Sequence, residues 1–262
     1  MPKQKLKERF KESSKVSITV YFVLRFLVIL CMIREIILGN IWNAILCILS
    51  LFLLVLPIFF QKKFKIDLPD ALEVLIFLFI FSAEILGEIN NFYGLFTNFD
   101  TILHTINGFL CAAIGFSLIN LLNEKVDTFN LSPIFVALVA FCFSMTVGVV
   151  WEFYEYAADH ILSIDMQKDT VVNQISSVTF DPNNSNQVYS IGPIDKTIML
   201  DEKGAPLYEL DGYLDIGLND TMQDLFVNFL GAFVFSILGY LYLKNGKKFK
   251  VIKHFIPRKK EG

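Results

Sequence analysis

Long apolar segments alternate with short polar ones along this chain of 262 residues. Six segments have close to the ~20 apolar residues that an α-helix needs to cross the hydrocarbon core of a bilayer. They cover residues 16–38, 40–60, 68–90, 100–123, 132–160 and 219–243. The pattern therefore predicts an all-α integral membrane protein, a six-transmembrane-helix bundle.

The connections between these segments are short, with one exception. Gly39-Asn40 leaves only a tight turn between the first two spans, whereas residues 163–216 form a polar insertion before the last one. Runs rich in β-branched and aromatic residues, bounded by Gly, Pro and Asn, predict strands in this insertion at 171–172, 178–180, 197–200 and 206–208. We expect a small β-rich insertion between helices 5 and 6, too small for a substantial core of its own.

Charge is strongly segregated along the chain. Both tails and the second connection are rich in Lys and Arg, while the insertion holds nine acids against three lysines. Because cytoplasmic loops carry the excess of Lys and Arg, both termini should be cytoplasmic and the insertion extracytoplasmic. The expected organisation is a basic cytoplasmic tail (1–15), helices 1–5 (16–162), the acidic extracytoplasmic insertion (163–216), helix 6 (217–243) and a second basic cytoplasmic tail (244–262).

Composition supports a membrane location and gives little other chemistry. Hydrophobic residues make up 54% of the chain, including 27 Phe, whereas a soluble domain has about 45–50% even when Gly is counted. The four cysteines all fall in apolar segments, where a thiol is usually a small core hydrophobe. The basic tails are ordinary membrane anchors and no nucleic-acid-binding module is recognisable, so the lipid bilayer is the expected partner.

Ionisable residues recur near one end of four of the apolar segments. A charge deep in hydrocarbon costs about 2.5–3.5 kcal/mol on insertion scales, so such residues usually face the bundle interior and are functional. With the expected topology, all of them fall in the outer half of the membrane. The candidate ligands are His104, Glu152, Asp224, Asp100, Glu155 and Asp220. Candidates for supporting or substrate contacts are Glu84, Glu88, Asp159, Asn228 and Arg34.

Helical spacing brings these residues onto common faces, since positions three, four or seven apart are neighbours. Carboxylates, an imidazole and carboxamides that face inward would suit a divalent cation such as Mg²⁺, Mn²⁺, Zn²⁺ or Fe²⁺, and they could equally form a proton relay. Simpler interpretations remain for some of them. Asp100 and Asp220 are each followed by Thr and could be helix N-caps, and Glu88 and Asp159 could lie among headgroups.

Arg34 has two interpretations of its own. It could hold an anionic group such as a phosphate, or it could simply pair with the neighbouring Glu35, and we favour the local pair slightly.

Three motifs in the last four spans resemble a known family. They are Asp100-x-x-x-His104, Trp151-Glu152-x-x-Glu155 and Asn219-Asp220-Thr221-x-x-Asp224-x-x-x-Asn228-x-x-Gly231. Together they resemble the YjdF-like bacterial inner-membrane proteins and, more distantly, the VanZ-like membrane proteins, whose last helix has a comparable Asp-x-x-x-Asn-x-x-Gly pattern. The long 163–216 insertion departs from a compact member. The resemblance implies a bacterial multi-pass protein of the cell membrane and a link to cell-envelope biology, but no established reaction.

Three functions fit these observations. The first is a metal-dependent membrane enzyme that acts on a lipid-linked or envelope substrate, in which a bound divalent cation lowers the pKa of water. The second is an ion- or proton-coupled transporter that uses the same acids. The third is a non-catalytic envelope or resistance factor whose polar residues fasten the bundle.

Overall fold

The computed structural model describes residues 15–64, 66–125, 131–245 and 252–259. Their contacts divide the chain into two compact units, Met1–Val149 with Asp224–Gly262, and Val150–Gln223. The first unit is helical, and the second contains most of the strands.

Eight α-helices account for most of the described residues. They are α1 (Lys15–Leu38), α2 (Ile41–Leu53), α3 (Leu56–Phe64), α4 (Asp70–Phe81), α5 (Phe92–Leu95), α6 (Phe99–Lys125), α7 (Pro133–Leu162) and α8 (Leu218–Lys244). A π-helix (Ser82–Ile89) continues α4, and one 3-10 turn covers Ile252–His254. Strand β1 (Ile66–Asp67) pairs antiparallel with β8 (Arg258–Lys259).

Five helical segments are long and apolar enough to cross a membrane. They are Lys15–Leu38, Ile41–Lys63, Phe99–Asn123, Pro133–Leu162 and Leu218–Lys244. Each lies within a few residues of a predicted span, so the multi-pass membrane architecture is confirmed. The predicted span at 68–90 is divided into twelve α-helical and eight π-helical residues, and its crossing of the bilayer stays a prediction.

The first core of the helical unit lies where α1, α2, α4 and the π-helix meet. Gly39 takes a positive φ of 79° between α1 and α2, a conformation that costs glycine no steric strain, and the predicted tight hairpin forms there. The buried side chains of this core are Leu24, Val28, Cys31, Cys47, Leu54, Phe77 and Ile85.

A second core joins α4 to α6, α7 and α8. It includes Phe116 from α6, Val136 and Ala140 from α7, and Ala232 and Phe235 from α8, all of which are fully buried. Small residues are common here because helices in lipid associate through close van der Waals packing. This core holds α6 and α8 side by side.

The second unit contains the predicted β-rich insertion as three short antiparallel pairs. Strands β2 (Val171–Val172) and β7 (Tyr213–Leu214) pair, as do β3 (Ile175–Ser177) with β4 (Tyr189–Ile191) and β5 (Lys196–Leu200) with β6 (Pro206–Asp211). The strand predicted at 178–180 is wrong. This segment is a 3-10 turn because the Ser177 hydroxyl accepts a hydrogen bond from the Thr179 N–H at 3.0 Å.

Candidate metal centre

An imidazole lies between two carboxylates where α6 and α8 begin. Asp100 and His104 are one turn apart on α6, and Asp224 comes from α8. The His104 Nε2 lies 3.5 Å from Asp100 Oδ1 and 3.6 Å from Asp224 Oδ2. Asp224 is 2% exposed and His104 9%, whereas the side chain of Asp100 is 29% exposed, so two of the three residues are buried and the third is partly accessible. The structure thus brings three of the six candidate ligands together, and their role as ligands stays a prediction.

Two glycines allow α6 and α8 to touch next to this cluster. A Cβ on Gly231 would lie 2.0 Å from the carbonyl oxygen of Thr105, and a Cβ on Gly108 would lie 2.1 Å from the carbonyl oxygen of Asn228. Any larger residue at either position would force the two backbones apart. The glycines therefore set the distance between the helices that carry His104 and Asp224.

A carboxamide fixes the packing one turn further along the helices. The side chain of Asn228 is 1% exposed. Its Oδ1 lies 3.4 Å from the Nδ2 of Asn107 on α6, and its own Nδ2 lies 3.7 Å from the Sδ of Met145 on α7. Gly148 leaves room for this amide, since a Cβ there would lie 2.7 Å from Asn228 Nδ2. Asn228 thus links three helices immediately behind the acid–imidazole cluster.

The spacing of the cluster is suited to a bound cation. Distances of 3.5 and 3.6 Å exceed the 2.7–3.2 Å of a good hydrogen bond between such atoms. Two ligands of a tetrahedral zinc ion, each at about 2.0–2.2 Å, lie roughly 3.3–3.6 Å from each other. One ligand atom from each of Asp100, His104 and Asp224 falls within a common 4.8 Å. These residues could therefore hold one metal ion without a large rearrangement.

Glu152 and Glu155 belong to the second unit, on the last part of α7. Both are buried, at 5% and 7% exposure. The Nε1 of Trp151 donates a hydrogen bond of 2.7 Å to Glu155 Oε1. Trp151 therefore positions this carboxylate, in addition to any contact with lipid. The role of both glutamates as metal ligands stays a prediction.

Asp159 and Asp220 bind backbone groups at the base of the insertion. Asp159 accepts hydrogen bonds from the N–H groups of Met166 and Gln167 at 2.6 and 2.9 Å, and Asp220 accepts one from the Lys168 N–H at 2.8 Å. These contacts give both carboxylates a structural role, and a ligand role for Asp220 stays a prediction.

The N-cap interpretation of Asp100 and Asp220 is wrong. The helices begin at Phe99 and Leu218, so both aspartates lie inside the first turn rather than before it.

Arg34 makes the local pair that the sequence favoured. Its Nε donates to Glu35 Oε1 at 2.7 Å, and its Nη1 donates to Asn90 Oδ1 at 3.0 Å. Glu35 is 2% exposed and also accepts hydrogen bonds from the side chains of Asn40 and Asn43, both at 2.9 Å. The buried carboxylate is thus well satisfied, and the guanidinium is engaged by protein groups.

Glu84 and Glu88 lie on the π-helix Ser82–Ile89. Glu84 is half-buried and Glu88 is exposed. A π-helix is rare and frequently marks a functional site, but neither glutamate is among the three-residue ligand groups found in the described part of the chain. Their supporting role stays a prediction.

Sequence reasoning missed one further buried carboxylate, that of Glu73. It is 3% exposed, and it accepts hydrogen bonds from the hydroxyl of Ser17 and, at 2.8 Å, from the Nε2 of Gln61. Acids are common in the first turn of a helix, where they face the positive end of the helix dipole, so Glu73 does not stand out in the sequence. Its partners come from α1 and α3, and no sequence spacing indicates that contact.

Two acids of the insertion have perturbed titration. Hydrogen bonds from the Asn183 N–H and the Ser185 hydroxyl, with others from the same loop, hold the pKa of Asp181 below its ordinary value of 3.8. Burial, followed by the nearby charges of Asp165 and other acids, raises the pKa of Asp169. The hydrogen bonds that lower the pKa of Asp181 also stabilise its loop. The raised pKa of Asp169 reflects, besides burial, the crowding of acids at the base of the insertion.

The helices and the acid–imidazole cluster define a multi-pass membrane protein with a polar site inside its helical bundle. Comparison with protein families identifies the group. The model of a predicted membrane protein family, DUF2238, matches residues 16–245, and the chain belongs to this family. Searches of curated proteins and of solved structures found no match.

Proposed function

We propose that Asp100, His104 and Asp224 bind a divalent transition-metal ion inside the helical bundle. The observation that supports this proposal is the spacing of the imidazole from the two carboxylates, 3.5 and 3.6 Å, which a single ion can bridge. Burial strengthens the argument, because a buried charge is expensive unless it is paired or coordinates a metal. Two acids placed around one imidazole in a hydrophobic bundle gain most from a cation between them.

The donor set favours some metals over others. Mg²⁺ and Ca²⁺ prefer sites made wholly of oxygen ligands, whereas imidazole suits Zn²⁺, Fe²⁺ and similar ions. A site with one His and two Asp ligands is therefore more suited to Zn²⁺, Fe²⁺ or Mn²⁺ than to Mg²⁺. Three protein ligands would leave a position for water or substrate on a tetrahedral ion.

Metal content of purified protein tests this proposal. We would compare wild type with Asp100→Asn, His104→Ala and Asp224→Asn, by elemental analysis and by thermal unfolding with and without chelator. We expect metal in wild type and a marked loss in each variant. The double variant His104→Ala/Asp224→Asn should lose less affinity than the sum of its parts, because neighbouring residues that act as a unit are not additive.

Matched controls separate binding from general destabilisation. His160→Ala removes an exposed imidazole and should leave the metal content unchanged. Glu73→Gln alters a buried carboxylate that is hydrogen-bonded to Gln61, so it should lower thermal stability and still leave the metal content unchanged. Wild-type protein that carries no metal, and that responds neither to chelator nor to added Zn²⁺, Mn²⁺ or Fe²⁺, would disprove the metal proposal.

The function of the whole protein is part of the same proposal, because it depends on what the metal site does. A metal ion in this polar site could activate a water molecule by bringing its pKa near 7, which suits hydrolysis of a lipid-linked or envelope substrate. An ion-coupled transporter would use the same acids as its ion path, and a scaffold would need no metal at all. Folded protein that carries no metal and whose stability does not respond to chelator would favour the scaffold.

The cellular setting is proposed from the sequence. The bias of Lys and Arg supports cytoplasmic termini, and membership of the DUF2238 family supports the YjdF-like resemblance and, with it, a bacterial inner membrane. The VanZ-like resemblance depends on the pattern Asp224-x-x-x-Asn228-x-x-Gly231 alone. A role in the cell envelope therefore has less support than the metal site.

A further inference from the structure

Two buried cysteines lie at matching positions on the two helices of the α1–α2 hairpin. They are Cys31 on α1 and Cys47 on α2. Both belong to the first core, where Cys47 is 0% exposed and Cys31 8%. We assigned no chemistry to these cysteines from the sequence, because nothing there indicates that two of them face each other.

The register of the hairpin brings this pair together. Cys31 and Cys47 each lie eight residues from Gly39, the centre of the turn. Glu35 and Asn43 each lie four residues from Gly39, and they pair in the same way. Glu35 accepts a hydrogen bond from the Asn43 side chain at 2.9 Å. Glu35 also accepts one from Asn40 at 2.9 Å. These polar contacts hold α1 and α2 in register and keep the two thiols opposite each other.

The seam between the two helices allows a close approach. The buried side chains of α2 are Ala44, Cys47 and Ser50, and small residues at this spacing let two membrane helices pack tightly. Cys31 is seven residues from the end of α1 at Leu38, a depth of roughly 10 Å along the helix at about 1.5 Å per residue. The thiols therefore lie inside the apolar part of the protein, where water-soluble redox proteins have poor access.

We propose that Cys31 and Cys47 form a disulfide that joins α1 to α2 within the membrane, with a lipid-soluble quinone as oxidant. Each thiol loses its proton, a bond forms between the two sulfur atoms, and the quinone takes up two electrons and two protons to become a quinol. Cys31 keeps a small exposed fraction, so the oxidant reaches this thiol first. The disulfide links α1 covalently to α2 and fixes the register of the hairpin. The two helices already pack against each other, so neither has to change its neighbours.

Cross-linking in membranes tests the pair directly. Cys111 and Cys142 would be replaced by Ser, so that only Cys31 and Cys47 remain. After treatment with copper(II)-phenanthroline, digestion and mass spectrometry should find most of the protein as a linked peptide that contains both residues. Reduction should release the two halves.

A shifted pair provides the matched control. In the variant Cys47→Ala/Ile48→Cys the second thiol moves by one residue, about 100° around a helix of 3.6 residues per turn, to a position that is 59% exposed. This variant should give little linked peptide under the same treatment, and gel filtration should show that both proteins are folded. Equal cross-linking of the native and shifted pairs, or none of the native pair, would overturn the proposal.

A second arm tests the oxidant. A fully substituted benzoquinone, which has no ring position open to thiol addition, should form the linked peptide in membranes. Glutathione disulfide, which stays in water, should leave both thiols able to react with a maleimide after unfolding. If copper-phenanthroline links the pair and the quinone does not, the assignment of the oxidant is wrong.

Discussion

The close approach of α6 and α8 can be tested by replacing Gly231 with Ala. The added Cβ would lie 2.0 Å from the Thr105 carbonyl oxygen and 2.9 Å from the Phe109 nitrogen. A carbon–oxygen contact of this kind normally lies at about 3.3–3.6 Å, so the helices must separate by roughly 1.3–1.6 Å. Overpacking of this kind typically costs about 1–3 kcal/mol, against about 1 kcal/mol gained from replacing Gly by Ala in a helix.

The effect on the proposed metal site should be larger than the effect on stability. If the separation is passed along the roughly two turns of α8 between Gly231 and Asp224, the 3.6 Å between His104 Nε2 and Asp224 Oδ2 grows to roughly 5 Å. One ion with ligands at about 2.0–2.2 Å spans at most roughly 4.4 Å. Changes that merely disturb ligand orientation already cost about 10–100-fold in metal affinity, so Gly231→Ala should lower the affinity by at least about tenfold. Equilibrium dialysis against Zn²⁺ measures this directly.

Gly239→Ala is the matched control, on the same helix. Its added Cβ would lie 2.7 Å from the ring of Phe116, a side chain rather than a backbone, two turns away from Gly231. This variant should lose thermal stability and keep its affinity for Zn²⁺. Gly231→Ala protein with unchanged affinity would refute the argument that glycine contacts set the geometry of the site.

Three further predictions concern the insertion and the topology. The pKa of Asp181 is lower in the folded protein than its ordinary value of 3.8, so this carboxylate stabilises the loop fully above pH 3.8 and loses its effect as the pH falls through the folded pKa. The variant Asp181→Asn should therefore make the loop more sensitive to proteolysis at pH 7. Below the folded pKa of Asp181, the variant and the wild type should be equally sensitive. Replacing residues 173–212 by a short Gly/Ser linker should leave a folded protein, because Val172 and Tyr213 pair across β2 and β7, whereas removing 170–215 should not. With the native cysteines removed, an impermeant thiol reagent should label Asn184→Cys in intact cells but not Lys63→Cys, and the reverse result would invert the topology.

Hydropathy and helical spacing predict most of the architecture because each depends on residues close together in the chain. A run of apolar residues is sufficient to place α6 within two residues at each end, and a spacing of four is sufficient to align Asp100 with His104. The hairpin at Gly39 is predicted in the same way, because a tight turn needs a residue that takes a positive φ easily and glycine does so. The predictions succeed where one segment determines its own structure.

The remaining features depend on contacts between distant segments. Ser17 meets Glu73 across 56 residues, and neither position is unusual within its own helix. The change from α- to π-helix at Ser82 likewise has no signature in the local apolar pattern. The strand expected at 178–180 was lost to a single side chain, Ser177, which caps a turn instead. Tertiary contacts or local capping decided each of these cases.

The motif on α8 can be understood as one structural unit with a counterpart on α6. Asp224 faces His104, and one turn later the backbone of Asn228 meets Gly108, so the two helices run in the same direction. Each helix thus carries an ionisable residue, then an amide, then a glycine contact. The glycines bring the backbones together, the amides prevent the helices from sliding, and only then do the imidazole and carboxylate lie at a distance that one ion can bridge. Altering Gly231 or Asn228 should therefore affect metal binding although neither residue is among the proposed ligands.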